Sequence, residues 1–215
     1  MDRLRDKVAI VVGGGQTAGD TIGNGKATAI LFAREGAAVV VADRDAAAAE
    51  DTCAAIAAEG GRALAVTADV TRAEDCARIV ETCVAAHGRV DVLHNNVGIE
   101  EFGALTEVSD ESWDRVHAIN LRGPMAACRA VVPHMIAAGG GSIVNFGSVV
   151  VQMAAGNMVG YVTAKAGVQG LTRALARDFG KDRIRVNCLV PGWVITERQK
   201  ALYWTESSER AIAEK

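Results

Sequence analysis

Lys7-Val-Ala-Ile-Val-Val-Gly-Gly-Gly-Gln-Thr-Ala-Gly-Asp-Thr-Ile-Gly-Asn-Gly25 is the stretch that decides how this chain folds. From Lys7 to Val12 the run is apolar and β-branched, as expected of a strand buried on both faces. Gly13 to Gly25 is a glycine-rich loop, and the Ala-rich segment Lys26 to Arg34 behind it reads as a helix. Glycines in such a loop admit positive φ and let the backbone approach a pyrophosphate at the positively polarised N-terminus of the helix. A second strand, Ala38 to Ala42, ends in Asp43. A carboxylate at that point accepts hydrogen bonds from both ribose hydroxyls of an adenosine and repels a 2′-phosphate.

Outward from this unit the chain keeps alternating. Strands are predicted over 7–12, 38–43, 62–67, 90–94, 141–147 and 183–190, with helices near 24–35, 45–59, 72–86, 110–137 and 160–180. Ser109-Asp-Glu is an acidic start suited to a helix N-terminus, and Gly139-Gly-Gly141 ends the same helical region. The pattern predicts right-handed βαβ units in an α/β fold, a Rossmann-like, doubly wound parallel sheet forming a single domain over 1–215. Ligands of such sheets bind at the C-terminal ends of the strands.

Tyr161-Val-Thr-Ala-Lys165 lies in a helical stretch that continues through Val168, Leu171 and Leu175, and a spacing of four puts both side chains on one face. A phenol with a pKa of about 10 is a poor base, and a nearby ammonium favours the phenolate. Ser148, thirteen residues before Tyr161, supplies a hydroxyl to hold a substrate oxygen. By itself a Tyr-x-x-x-Lys is a weak signal, since many helices contain one by chance.

Taken in order, the motifs are the glycine loop, Asp43, Asp69-Val70, Asn95-Asn-Val-Gly98, Asn120, Ser148, Tyr161 with Lys165, and Pro191-Gly-Trp-Val-Ile-Thr196. Over essentially its whole length the chain resembles the short-chain dehydrogenase/reductase family. The resemblance implies a nicotinamide-dependent oxidoreductase with a Ser148–Tyr161–Lys165 centre supported by Asn120. It implies NAD held by Gly13, Gly15, Gly23, Asn24, Gly25, Asp43, Asp69, Val70, Asn96, Gly98, Tyr161, Lys165, Pro191, Val194 and Thr196. Asp43 favours NAD over NADP, and Arg44 beside it is the counter-signal. By the same resemblance Lys165 lowers the Tyr161 pKa and hydrogen-bonds the nicotinamide ribose, and Asn120 holds a water that links Lys165 to solvent. Asn120 as a helix-kink amide is the plainer alternative.

The chain departs from the family pattern in three places. Val12 stands where the family's glycine motif has Thr, and the loop is longer. Anchoring on the helix puts Gly23-Asn24-Gly25 at the family's Gly-Ile-Gly. Anchoring on Thr21-Ile22-Gly23 gives the stretched loop of enoyl reductases but needs two extra residues inside the helix, and that branch spaces its Tyr and Lys more widely. His94 and Val97 replace more usual residues and read as packing variations, His94 as a core residue. Finally, the chain stops at Lys215, before the family's last helix and strand, so it is expected to be incomplete.

With 215 residues, half of them hydrophobic, there is room for one sizeable core, and a net charge of −3 gives no reason to expect nucleic acid. No run approaches the ~18 apolar residues needed to span a bilayer, and the charged Met1 to Lys7 is not a signal peptide. The five cysteines, Cys53, Cys76, Cys83, Cys128 and Cys188, form no CxxC pair and read as small hydrophobes of a reduced, cytoplasmic protein, with no metal site. Cys76, Ile79, Val80, Cys83 and Val84 form one apolar helix face.

The substrate expected is a small alcohol or ketone: a sugar, a polyol or a cyclic alcohol. Val149, Val150, Val151, Met153, Met158, Trp193, Tyr203 and Trp204 supply apolar surface for a pocket or for the core. Asn145-Phe-Gly-Ser148 with Pro191 to Gln199 is similar to family members that oxidise sugars or polyols. Glu100 and Glu101 line a polar entrance or form a solvated loop. The alternatives are an NADPH-dependent 3-oxoacyl reductase and a non-catalytic dinucleotide-binding regulator. The resemblance further implies a homodimer or homotetramer paired through helices 110–137 and 160–180.

Overall fold

The computed structural model describes residues 2–153 and 155–203. Six parallel strands form one sheet: β1 (Val8–Val12), β2 (Ala38–Asp43), β3 (Arg62–Thr67), β4 (Val92–Asn95), β5 (Gly141–Phe146) and β6 (Ile184–Leu189), in the order β3-β2-β1-β4-β5-β6. Parallel neighbours need a crossover between them. These are supplied by α1 (Asn24–Arg34), α2 (Ala46–Ala58), α3 (Ala73–His87), α4 (Asp110–His117), α5 (Gly123–Ala137), α6 (Val150–Met153) and α7 (Val159–Phe179), and α8 (Glu197–Tyr203) follows β6. The single-domain, Rossmann-like doubly wound sheet is as predicted.

Strand periodicity splits the core into two layers. On one face Val8, Ile10 and Val12 pack with Cys76, Ile79, Val80 and Cys83 of α3 and with Val131 and Met135 of α5. On the other, Ala9, Val11, Val39 and Val41 pack with Ala29 and Ile30 of α1 and Ala49 and Ile56 of α2. Successive residues of β1 therefore serve opposite layers, which is why its sequence is uniformly apolar.

Two local features were not expected. The helix predicted over 110–137 is two α-helices joined by a π-helical turn, Ala118–Arg122, with Asn120 fully buried inside it. α6 and α8, of four and seven residues, had no sequence signature of their own. Ser109 caps α4 as anticipated, its Oγ accepting from Ser112 N at 3.2 Å.

The strand order reverses between β1 and β4, so the loops leaving their C-terminal ends diverge and open a crevice, the usual ligand position in such sheets.

Candidate active site

A cleft of about 1230 Å³ runs along the C-terminal ends of the strands. At one end lies the glycine loop. Gly13 leaves β1 with φ +76°, and a Cβ on Gly25, in the first turn of α1, would lie 1.8 Å from the Gly13 carbonyl oxygen. That contact brings the start of α1 against the end of β1, and Asn96 Nδ2 clamps it by donating to Gly13 O at 3.0 Å. Gly23, the N-cap, makes no side-chain capping bond, and the first turn of α1 has no acidic residue. Its orphan N–H groups thus face a region suited to an anion.

Asp43 closes this end. Its Oδ2 accepts from Gly15 N at 2.9 Å and its Oδ1 from Asp45 N at 3.1 Å, and a Cβ on Gly15 would meet Oδ2 at 2.8 Å. Thr52 of α2, which sequence reasoning missed, donates through Oγ1 to Gly14 O at 2.8 Å and pins the loop from below. Asp69 Oδ1 accepts from Thr71 N and Oγ1 at 2.8 and 2.7 Å, shaping the turn after β3.

At the other end Ser148, Tyr161 and Lys165 meet, all of them buried. Tyr161 and Lys165 sit one turn apart on α7, with Nζ 5.6 Å from the centre of the tyrosine ring. Lys165 Nζ donates to Phe146 O at 2.9 Å, so the end of β5 fixes the ammonium. Burial pushes Tyr161 up to about 12, reinforced by the Glu100 carboxylate and opposed by the Ser148 hydrogen bond and Arg198. Burial likewise pushes Lys165 down to about 8, with Cys188 and Glu100 opposing and Arg198 reinforcing. The sequence reading had Lys165 lowering the Tyr161 pKa; here desolvation governs both groups and drives each toward its neutral form.

Asn120 does not line the cleft. Its Nδ2 donates to Val116 O at 3.0 Å and to Ile99 O at 2.9 Å, and its Oδ1 accepts from Ile99 N at 3.2 Å. Asn120 thus ties the π-helical turn to the loop after β4. A Cβ on Gly98 would lie 2.9 Å from Asn120 Oδ1 and 3.3 Å from Lys165 Nζ, so the three residues do converge.

The other residues singled out from sequence, Gly13, Gly15, Gly23, Asn24, Gly25, Asp43, Asp69, Val70, Asn96, Gly98, Pro191, Val194 and Thr196, all line the cleft, as do Val149, Val150, Met158 and Trp193. Val151 is half-buried and Met153 exposed, and neither lines the cleft. Trp204 lies outside the described residues. His94 is a core residue, set edge-on between Phe32 and Phe146, and burial pushes it down to about 4. Glu100 lines the cleft, whereas Glu101 turns to Ser112 and Arg115 of α4.

A second group comes from α8, at the end of the Pro191 to Gln199 stretch, whose last three side chains have no role legible in the sequence. Arg198 Nη1 donates to Gly98 O at 2.7 Å, Gln199 Nε2 approaches both oxygens of Glu100 at 3.2 and 3.4 Å, and Glu197 Oε1 accepts from Thr21 N at 3.1 Å. α8 thereby bridges the β4 loop and the glycine loop. Among the described residues no cluster of His, Cys, Asp or Glu is placed to hold a metal ion, and no helix is long and apolar enough to cross a membrane.

Comparison with known proteins agrees with this architecture. The short chain dehydrogenase family model matches residues 7–207. The protein named "Probable galactose dehydrogenase GalD" from Rhizobium meliloti (strain 1021) is 41% identical over 213 residues, covering 99% of this chain and 81% of that protein. Cyclohexanol dehydrogenase from Acinetobacter sp. (strain SE19) is 38% identical over 196 residues, 91% of this chain and 76% of that one. The structure of 7α-hydroxysteroid dehydrogenase complexed with NADH and 7-oxo glycochenodeoxycholic acid superposes with a TM-score of 0.92 at 32% identity, covering 99% of this chain and 80% of that one. By fold, by cleft and by sequence, the chain belongs to the short-chain dehydrogenase/reductase family of NAD(P)-dependent oxidoreductases acting on CH–OH groups.

Proposed function

We propose that the protein uses NAD to interconvert a secondary alcohol and a ketone, with Tyr161 as general acid and base. The observation that carries this reading is a single cleft with the Ser148–Tyr161–Lys165 corner at one end and the glycine loop with Asp43 at the other. The bare backbone around Gly13, Gly15 and Gly25 and the uncapped first turn of α1 fit a dinucleotide pyrophosphate. Asp43 would hold the adenosine ribose with its remaining lone pairs, Asp69 and Val70 would hold the adenine, and Asn96, Gly98, Pro191, Val194 and Thr196 would hold the nicotinamide side. When bound, the nicotinamide supplies the acceptor or donor of hydride.

In the oxidising direction Tyr161 takes the substrate's hydroxyl proton as hydride leaves the carbon, and in reduction it returns that proton to the carbonyl oxygen. Ser148 positions the oxygen. Lys165 orders the ribose and, in its charged form, favours the phenolate. Asn120 positions Lys165 through the Gly98–Ile99 turn. The names of the galactose and cyclohexanol dehydrogenases among its relatives support a sugar, polyol or cyclic alcohol as substrate. One observation favours NADPH, the cofactor of the alternative 3-oxoacyl reductase: Arg44, exposed beside Asp43, lines the same end. The free thiols fit a cytoplasmic location, and pairing through α4–α5 and α7 would give a dimer or tetramer.

The deciding experiment follows NADH formation over sugars, polyols, cyclic alcohols and hydroxyacyl esters, with Tyr161→Phe and Asp43→Ala as controls. The expected outcome is a loss of ~10²–10⁴-fold in Tyr161→Phe with NADH binding retained, and a shift toward NADP in Asp43→Ala. NADPH preference untouched by Asp43→Ala would favour the 3-oxoacyl reading. Tyr161→Phe turning over like wild type would overturn Tyr161 as acid and base, and a wild type that binds NADH but oxidises no substrate would favour a dinucleotide-binding regulator.

A further inference from the structure

Behind the cleft, three polar side chains are buried in a layer that is otherwise largely apolar. Asn95 closes β4, Asn145 stands one residue before the end of β5, and Thr172 lies on the buried face of α7 with Tyr161, Lys165 and Val168. Asn95 and Asn145 are register partners across the β4–β5 ladder, and Asn95 Nδ2 donates to Asn145 Oδ1 at 2.9 Å. Asn145 Nδ2 donates in turn to Thr172 Oγ1 at 3.1 Å, and Thr172 Oγ1 donates to Val168 O at 2.8 Å. None of the three lines the cleft.

Apolar contacts between a helix and a sheet are non-directional, so by themselves they hold the register of α7 on β5 only loosely. Hydrogen bonds are directional, and in a low-dielectric interior they are costly to break. Two of them tie α7 to β5: Thr172 with Asn145, and Lys165 Nζ with Phe146 O at 2.9 Å. The two ties lie about two turns apart on the helix, so α7 cannot slide along β5 or roll on it without breaking one. β5 leads to Ser148 and α7 carries Tyr161, so this register sets how the two hydroxyls stand to each other. Asn95 extends the tie to β4, where the next residue, Asn96, clamps Gly13 O of the glycine loop at 3.0 Å. The network thus runs from the phosphate end of the cleft to its catalytic corner.

Building on the dehydrogenase reading above, we propose that Asn145 and Thr172 are positioning residues for proton and hydride transfer. Their hydrogen bond sets α7 on β5 so that Tyr161 and Ser148 meet on one substrate oxygen. Neither side chain touches substrate or cofactor. A misplacement of about 1 Å at such a corner costs up to ~10²-fold in rate.

The test compares Thr172→Val, which keeps the shape and removes the hydroxyl, with Thr172→Ser, which keeps the hydroxyl. Ile56→Val, in the opposite core layer, is the packing control. On an alcohol that the wild type oxidises, Thr172→Val is expected to lose at least ~10-fold in kcat, with KM and NADH affinity within about twofold. Its oxidation rate should also rise at higher pH than in wild type, since the Ser148 bond that lowers the Tyr161 pKa is stretched. Thr172→Ser should stay within about threefold in kcat and keep the wild-type pH profile. Ile56→Val should do the same although it melts lower. A Thr172→Val with the kcat and pH profile of wild type, whatever its melting temperature, would overturn the proposal alone. So would a Thr172→Ser as slow as Thr172→Val, because the hydroxyl would then not be what places the helix. A wild type silent on every alcohol would overturn the dehydrogenase reading and the proposal with it.

Discussion

Burial sets Tyr161 and Lys165 against the charged forms that alcohol oxidation needs, and pH exposes that opposition. With Tyr161 pushed up to about 12, its neutral, proton-donating form dominates at neutral pH. Alcohol oxidation should therefore accelerate steadily between pH 7 and 10, while ketone reduction does not. Initial rates in the two directions check this, and an oxidation rate that falls above pH 7 would count against Tyr161 as the base. Lys165 has a consequence for stability. Its pKa falls from 10.5 to about 8 on folding. Below pH 8 both states are charged and the folded state carries the whole desolvation cost, on the order of 3 kcal/mol. As pH rises from 8 to 10.5 the unfolded chain holds protons that the folded chain has shed, so that cost disappears. Lys165→Met removes the charge and leaves the Phe146 carbonyl without its donor, which costs ~1 kcal/mol. The nucleotide-free variant should melt a few degrees above wild type at pH 7 and lose that advantage by pH 10.5, while turnover collapses. Equal melting points at pH 7 would mean that the buried ammonium carries no such penalty.

Among the elements, the junction of β1 with α1 makes the sharpest prediction. A Cβ on Gly25 meets the Gly13 carbonyl at 1.8 Å, whereas one on Gly23 finds its nearest neighbour, Gln16 Oε1, at 3.8 Å. Gly25→Ala should cost ~1–3 kcal/mol and weaken NADH binding at least tenfold, and Gly23→Ala should do neither. Fluorescence titration of NADH with chemical denaturation reads both, and the reverse order would move the phosphate register to Thr21-Ile22-Gly23. The start of α1 was legible in the sequence because the helix after the loop has a clear period, and the strands fell within two residues of expectation for a similar reason: β-branched runs bounded by glycines. The kink at Ala118–Arg122 was hidden, since a π-turn shifts the apolar period by only one residue in a stretch already rich in alanine. α8 was hidden as well. Its seven residues are too few for a period, and its role comes from contacts with Thr21, Gly98 and Glu100, roughly a hundred or more positions away in the chain. Ser148, Tyr161 and Lys165 could be read from spacing, whereas Thr52 and Gln199 act through approaches that only the folded chain brings about.

Across the whole molecule the two edges of the sheet divide the labour. The residues given a chemical role line the cleft at the C-terminal edge, except the positioning residues Asn120, Asn145 and Thr172, which lie behind it. The N-terminal edge is tied by Asp91, buried beside the start of β4. Its Oδ2 accepts from Val8 N at 3.0 Å, its two oxygens bind Arg89 at 2.9 and 2.6 Å, and its carbonyl accepts from Ser142 N at 2.8 Å. One residue thus joins β1, β4 and β5 at the end opposite the chemistry. Asp91→Ala leaves the Val8 N–H without a partner and should cost ~2–3 kcal/mol, a drop of roughly 5–10 °C in melting temperature. At a permissive temperature its kcat and KM should stay within about twofold of wild type, because the strand ends that lead to Asn96 and Ser148 and the helix that carries Tyr161 are not touched. Ser148→Ala should do the opposite. Its Oγ accepts a long bond from Val150 N at 3.4 Å and hydrogen-bonds the Tyr161 hydroxyl, so stability should fall by about 1 kcal/mol. Turnover should fall at least ~10²-fold, since the hydroxyl that holds the reacting oxygen is lost. Melting curves and initial rates on the same two preparations decide the matter. If Asp91→Ala lost turnover in proportion to stability, the two edges would be mechanically coupled, and the sheet could not be treated as a rigid platform for its cleft.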